Sequence, residues 1–255
     1  MVRVMKILST GIPLLDDALG GGLLEDSNLL IIYDTYSYGW ALGFDIVRRR
    51  IEMGDFGVIL NSVLPMTPLR MELQVINFDI NELGKNNDLA VIDMFSSFYG
   101  LKYPNDYVYT DPTMDVGTFL PKYTQLYYRA LNEKIGDRRP IGIDVTVDSL
   151  AFLLGEKNFI RVFQKTMALK ERAKISEKRK RPLNIFLLNK SRASEELISW
   201  MTLYSQYVVE FRPTDNPGIE KMFIRKSPLP DFTPTVEGYI FRLRKGSIEL
   251  EKPVD

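Results

Sequence analysis

Short apolar runs alternate with amphipathic segments along most of this chain, and this alternation limits the folds that it can adopt. The runs predict strands at residues 29–32, 58–61, 89–93, 144–148, 185–189 and 207–211. The segments between them predict helices at residues 40–53, 69–76, 116–135, 158–175 and 194–204. Strands that alternate with helices favour an α/β fold, in which helices cover a mainly parallel sheet through right-handed crossovers.

The C-terminal part has a different pattern. Apolar runs at residues 221–225, 239–243 and 247–250 follow one another without a helical segment, and Lys245-Gly246 is typical of a hairpin turn. These runs predict an antiparallel extension at one edge of the sheet. We therefore interpret the chain as one domain with an N-terminal segment (1–28), an α/β core (29–211) and a C-terminal β extension (212–255).

The composition excludes several kinds of chemistry. The chain has no Cys and no His, which removes thiol nucleophiles, disulfides, zinc fingers and imidazole bases. Basic and acidic residues are balanced at 33 each, so no net field attracts nucleic acid or an anionic membrane. Residues 1–8 are too interrupted for a signal peptide, and no apolar run reaches the length of a membrane span. We expect a cytoplasmic protein with no membrane partner, and the absence of Cys with abundant charge is typical of thermophiles.

The turn after the first predicted strand lies where α/β proteins often bind phosphate, but it lacks the residues for this task. A phosphate-binding turn needs small residues, a Lys that neutralises the phosphates, and a Ser or Thr hydroxyl that holds Mg²⁺. Here the turn is rich in aromatic side chains and adds an anion. Its residues are Tyr33, Asp34, Thr35, Tyr36, Ser37, Tyr38, Gly39 and Trp40.

Residues 9–22 read S-T-G-I-P-L-L-D-D-A-L-G-G-G. This segment resembles the opening of the KaiC and RadA branch of the RecA-like ATPases, S-T-G-I-x-x-L-D-x-x-x-G-G-G. Residues 89–96, 145–150 and 194–211 resemble the third strand, the Walker B region and the final helix and strand of that family. The resemblance covers nearly the whole chain and implies an archaeal-type, single-domain protein with a RecA-like P-loop fold, in which Asp148 ends the Walker B strand.

The first departure from this family concerns the Walker A loop. The family's G-x-x-G-x-G-K-T falls on residues 33–40, and a shift by one residue rescues only Gly39. Trp40 and Ala41 then stand at the Lys and Thr positions. Loss of the Lys and of the Mg²⁺ anchor is expected to cost about 3–6 kcal/mol of binding free energy.

The second departure concerns the catalytic groups. The family's paired glutamates fall on Val63 and Leu64, so the water-activating base is lost. The K-x-R element that reaches the neighbouring subunit's phosphates is matched by Lys226-Ser227-Pro228, which keeps the Lys and replaces the Arg. Hydrolysis of ATP by the family mechanism is therefore not expected.

The resemblance thus implies a vestigial nucleotide site with no catalytic residue, no metal and no required cofactor, and with room at most for weak binding of ATP and Mg²⁺. Lys226 is the candidate for action in trans. The residues of the vestigial site are Tyr33, Asp34, Tyr36, Ser37, Tyr38, Gly39, Trp40 and Asp148.

Three features allow two interpretations each. The aromatic rings could stack on a planar ligand, although we favour rings that fill the vacated pocket or a subunit contact. Asp148 could orient Mg²⁺, although we favour a hydrogen-bonding or helix-capping group. Residues 170–181 are densely basic and could bind nucleic acid, but Glu171 and Glu177 interrupt them and a solvated helix end is favoured.

Our hypothesis is a catalytically inactive KaiC/RecA-like protein that acts as a binding, assembly or regulatory module. Its expected partner is a second copy of the chain or another protein. The first alternative is an ATPase or nucleotide sensor with a remodelled P-loop. The second is a nucleic-acid-binding protein that uses residues 170–181, which the balanced charge does not favour.

Overall fold

The computed structural model describes residues 5–176 and 178–252, in which a ten-stranded sheet lies between two layers of helices. The strands are β1 (Ile7–Leu8), β2 (Leu23–Leu24), β3 (Asn28–Tyr33), β4 (Phe56–Asn61), β5 (Leu89–Asp93), β6 (Val108–Tyr109), β7 (Pro140–Val145), β8 (Leu183–Asn189), β9 (Tyr207–Pro213), β10 (Ile219–Lys226), β11 (Tyr239–Arg244) and β12 (Ser247–Glu251). β1 and β2 form a separate two-stranded sheet, and the other strands form the large one. The helices are α1 (Pro13–Leu19), α2 (Trp40–Glu52), α3 (Met66–Gln74), α4 (Ile80–Lys85), α5 (Met94–Phe98), α6 (Phe119–Ala130), α7 (Val147–Leu154), α8 (Glu156–Ser176) and α9 (Glu195–Tyr204).

The large sheet has the order β12-β11-β10-β9-β3-β8-β7-β4-β5-β6. The strands from β9 to β6 are parallel to their neighbours, whereas β9, β10, β11 and β12 pair antiparallel in sequence order. This arrangement confirms the predicted α/β fold with a mainly parallel sheet and a C-terminal antiparallel extension. The hairpin between β11 and β12 turns at Lys245-Gly246, as the sequence predicts.

The central strand β3 separates the two halves of the apolar core. Every residue of β3 is buried, which is typical of a parallel strand covered on both faces. Leu29 and Ile31 belong to the cluster that packs under α1, α2 and α3. Leu30 and Ile32 belong to the cluster under α6, α7, α8 and α9. The carboxyl end of β3 therefore lies between two packed layers, and the turn that follows it is positioned by both.

The predicted strand at residues 144–148 is wrong at its carboxyl end. The strand ends at Val145, and α7 begins at Val147, so Asp148 lies in the first turn of a helix and does not end a strand. The buried apolar residues of α7 explain this difference, because they follow the spacing i, i+3, i+4, i+7 of a helix face. These residues are Val147, Leu150, Ala151 and Leu154.

The helix predicted at residues 116–135 forms in two parts. α6 begins at Phe119, and the chain continues as a π-helical turn over Leu131–Ile135. The predicted helix at 194–204 begins one residue later, because Ser194 caps it: the Ser194 hydroxyl accepts a hydrogen bond from Leu197 N–H at 3.1 Å. Short elements such as α4, α5 and β6 were not predicted.

A buried ionic network fixes the amino ends of β4 and β7. Asp55, just before β4, accepts hydrogen bonds from the Arg50 guanidinium, with Arg50 Nε at 2.7 Å. Arg139, just before β7, lies 3.8 Å from the same carboxylate and 3.4 Å from Glu25. All four side chains are largely buried, so each charge depends on its partners for stabilisation.

Candidate functional site

The turn between β3 and α2 lies at the carboxyl end of the central parallel strand, where an α/β sheet usually binds ligands. Asp34 begins the turn, and its side chain accepts a hydrogen bond from Tyr36 N–H at 3.1 Å. Gly39 ends it as the N-cap of α2. The turn thus has the position of a phosphate-binding loop, with backbone N–H groups close to a helix N-terminus.

A carboxylate from elsewhere in the chain occupies this turn. The Tyr38 N–H donates to Glu220 Oε1 at 2.7 Å, and the Ser37 hydroxyl donates to Glu220 Oε2. The Gly39 N–H in turn donates to the Ser37 hydroxyl at 2.9 Å. Glu220 lies on β10 in the C-terminal extension and is buried. An anion of the protein itself therefore holds N–H and O–H donors that a phosphate-binding turn would offer to a ligand.

The electrostatics of Glu220 reflect this enclosed position. Burial is the main influence on its pKa and raises it, and the nearby Asp34 adds to this effect. The hydrogen bonds from Ser37 and Tyr38 act in the opposite direction, because they stabilise the ionised carboxylate. A second anion placed against this turn would meet both Glu220 and Asp34.

Glu220 was not singled out from the sequence, although a signal for it exists. In β10 the residues that face the core alternate with period two, and Met222 and Ile224 belong to the apolar cluster under α2. Glu220 continues this inward series. An acidic residue at an inward position of a strand needs a buried partner, and here the partner is the turn.

The aromatic residues of the turn divide into two groups. Tyr33 is 5% exposed, and Trp40 is half-buried with its ring 6.0 Å from that of Phe44 in an edge-to-face contact. Tyr36 is 92% exposed and Tyr38 is 44% exposed. Tyr33 and Trp40 thus pack in or against the apolar core, whereas Tyr36 and Tyr38 present their rings to solvent.

Gly39 permits close contact between the turn and β9. A Cβ atom at this position would lie 2.4 Å from Cδ2 of Phe211, which is fully buried. We expect Gly39→Ala to destabilise the protein by about 1–3 kcal/mol, because the buried ring has no space to move away. Urea unfolding followed by circular dichroism measures this cost.

Gly117→Ala is the matched control for that substitution. Gly117 lies in an exposed turn, where an added Cβ would come no closer than 3.4 Å to another side chain. We expect this variant to remain within about 0.5 kcal/mol of the wild type. Equal stability of the two variants would contradict the close packing of Gly39.

Asp148 forms hydrogen bonds with the end of β8 and the loop that follows it. Its carboxylate accepts hydrogen bonds from Asn189 N–H at 2.9 Å and from Arg192 Nε at 2.7 Å, and the residue is 4% exposed. It also lies close enough to Tyr33 to contribute, after burial, to the raised pKa of that hydroxyl. The structure therefore places Asp148 at the same edge of the sheet as the turn, with both carboxylate oxygens hydrogen-bonded to the loop after β8.

The other residues that the resemblance singles out make contacts within the chain. Lys226 donates from Nζ to the carbonyl of Thr202 at 3.1 Å, near the end of α9, where a helix dipole favours a cation. Val63 and Leu64, where the resemblance places the paired glutamates, pack against the apolar core. Asp93, at the end of β5, accepts hydrogen bonds from Asn61 and Ser96, and its pKa is raised by burial.

The first basic residues of the segment 170–181 lie at the opposite end of the sheet. Lys174 pairs with Asp26, just before β3, at 2.6 Å, and Lys170 lies 3.8 Å from the same carboxylate. Burial lowers the pKa of Lys170 to about 8. This end of the segment is therefore part of the fold and is remote from the turn.

In the described ranges 5–176 and 178–252, no three His, Cys, Asp or Glu side chains come together around a point where a cation could bind. The helices described there are also too short or too polar to cross a bilayer.

Comparisons with known proteins agree with this architecture. No family model matches the sequence, and no curated protein matches it significantly. An uncharacterised protein of Pyrococcus horikoshii, crystallised in complex with an unknown peptide, is similar with a TM-score of 0.80 and 17% identity, over 97% of this chain and 100% of that one. A KaiC-like protein of the same hyperthermophilic archaeon is similar with a TM-score of 0.69 and 19% identity, over 97% of this chain and 99% of that one. The chain therefore has the P-loop fold of KaiC-like proteins along nearly its whole length.

Proposed function

We propose that this protein is a KaiC-like module that binds a protein or peptide partner and does not hydrolyse ATP. The observation that carries the proposal is the Glu220 carboxylate, which accepts hydrogen bonds from Ser37 and from the Tyr38 N–H. A triphosphate would have to displace this carboxylate. It would also find no lysine at the Walker A position, where Gly39 or, in the register shifted by one residue, Trp40 stands.

The exposed rings beside the closed turn support the choice of partner. Tyr36 and Tyr38 present aromatic surface to solvent, and tyrosine is enriched in protein interfaces because its ring is apolar and its hydroxyl is polar. One similar structure was crystallised with a peptide, which supports this class of partner for the fold. We infer that the partner, a second copy or another protein, contacts these two rings.

ATP binding provides the first test. If ATP bound with a Kd of about 10 μM, 1 mM ATP would stabilise the protein by about 2.7 kcal/mol and raise its Tm by roughly 5–10 °C. We expect no shift of Tm with 1 mM ATP and Mg²⁺, and no release of phosphate above the protein-free rate. A shift of several degrees would favour the nucleotide-sensor alternative. If that shift disappeared in Asp148→Ala, Asp148 would be identified as the residue that holds Mg²⁺.

Self-association provides the second test. Light scattering over a range of protein concentrations shows whether a second copy is the partner. We expect Tyr36→Ser with Tyr38→Ser to reduce association with the partner by about tenfold, since buried aromatic side chains contribute strongly to interfaces. Tyr99→Ser, which changes an exposed tyrosine outside the turn, is the matched control. Equal effects of both changes would contradict the proposed surface.

A further inference from the structure

A second candidate site lies on the other face of the sheet. A cavity of about 410 Å³ separates the sheet from α6 and α8, which is within the usual range for small-molecule sites. Its walls are mainly aromatic and aliphatic. They include Tyr123 and Tyr127 from α6, Phe159 and Phe163 from α8, and Leu60 and Phe186 from the sheet.

A single carboxyl group lies at the inner end of this cavity. Asp144, on β7, is 6% exposed, lines the cavity, and has a buried Oδ1 with no hydrogen-bond partner among the residues that the structure describes. An unpartnered buried oxygen is costly, and a ligand with a polar group at this point would satisfy it. Burial, with a smaller contribution from Asp148, raises the pKa of Asp144 to about 8, so the neutral acid predominates at pH 7.

The outer end of the cavity is cationic. Arg172 and Lys180 line it and are exposed, beside Lys170 and beside Arg138, which already pairs with Asp88 at 3.1 Å. The acidic side chain at this end is Asp26, which already pairs with Lys174. The charges at this end therefore favour an anionic group on the ligand.

The depth of the cavity follows from the distance between two residues of β7 that line it. Pro140 begins the strand and lines the outer part of the cavity, and Asp144 lies four residues further along. At about 3.3 Å per residue, this separation is roughly 13 Å. A volume of about 410 Å³ along this depth has space for an extended chain.

We propose that this cavity binds a medium-chain fatty acid, with its carboxylate at the cationic end and its acyl chain between the aromatic walls of α6 and α8. A hydroxyl at the far end of the chain would meet the unpartnered oxygen of Asp144. The site does not depend on the function proposed for the turn, because α2 and the turn pack on the opposite face of the sheet.

Calorimetric titration at pH 6.5 tests this proposal with four probes below their micellar concentrations. These are decanoate, 10-hydroxydecanoate, decylamine and inorganic phosphate. We expect one decanoate per chain, tighter binding of 10-hydroxydecanoate, and no saturable binding of decylamine or phosphate. Equal or tighter binding of decylamine, binding of phosphate alone, or no binding of decanoate would overturn the proposal.

Matched variants on α8 locate the site. Ala173→Trp fills the cavity and Arg172→Glu reverses a charge at its cationic end, and each is expected to weaken decanoate binding by about tenfold or more. Ala168→Trp and Arg161→Glu make the same changes at exposed positions of α8 outside the cavity, and we expect wild-type affinity. Wild-type affinity in both cavity variants would overturn the proposed location.

Asp144→Leu tests the inner end. The preference for 10-hydroxydecanoate over decanoate is expected to disappear in this variant, while decanoate still binds, because leucine offers the hydroxyl no partner. If the variant kept the preference, or if the wild type never had it, Asp144 would not meet the end of the chain.

Discussion

Asp144→Asn is expected to raise the free energy of unfolding at pH 9 by several kcal/mol, on the order of 3–5. In the folded protein, burial raises the pKa of Asp144 from 3.8 to about 8, with a further contribution from Asp148. Between these two pKa values the folded protein binds more protons than the unfolded chain. The contribution of this group to stability is therefore greatest below pH 4 and is lost as the pH rises through about 8.

Urea unfolding at pH values from 5 to 9 measures this effect. The stability of the wild type should fall across this range more steeply than that of Asp144→Asn, because asparagine does not titrate. Asp93 and Glu220 also have raised pKa values, so the informative quantity is the difference between the two slopes. Asp215→Asn, in an exposed loop, is the matched control, and parallel slopes for wild type and Asp144→Asn would contradict the raised pKa of Asp144.

Asp55→Ala is expected to destabilise the protein by about 3–5 kcal/mol, because it removes the anion that the buried Arg50 and Arg139 share. For a chain of this size, the loss corresponds to a fall in Tm of roughly 6–20 °C. Differential scanning calorimetry at pH 7 measures it. Asp215→Ala, at an exposed position, is expected to change Tm by no more than about 2 °C.

A double-mutant cycle distinguishes a buried charge network from lost packing. Once Asp55 is replaced, Arg50→Met should cost little or restore stability, because it removes a cation that has lost its partner. The sum of the two single effects should therefore exceed the effect of the double variant. Additive effects would show that Asp55 and Arg50 act independently, against their 2.7 Å contact.

The parallel core could be predicted from the sequence because its strands are continuous apolar runs separated by long helical segments. The segment at residues 89–93 was predicted with the bounds that the structure gives. The error at 144–148 arose where a strand passes directly into a helix whose inward residues are also apolar. Here the helix spacing of Val147, Leu150 and Ala151 was the available signal.

The position of the aromatic turn could be predicted from the sequence, but its contacts could not. A turn rich in Tyr and without a Lys after the first long apolar run is visible in the local sequence. The contact that closes the turn is not, because Ser37 and Glu220 are 183 residues apart in the chain. The cavity beside α8 was not predicted either, since its volume depends on how α6 and α8 pack over Asp144.

The hydrogen bonds of Glu220 also give the C-terminal extension a second role. β10 contributes a strand to the sheet. Through the Glu220 side chain it also contributes an acceptor that occupies the Ser37 hydroxyl and the Tyr38 N–H in the turn after β3. A chain that ended before β10 would lose this acceptor and expose the Tyr38 N–H beside the N-terminus of α2. In this architecture, the same antiparallel extension that widens the sheet also occupies the hydrogen-bond donors of the turn after β3.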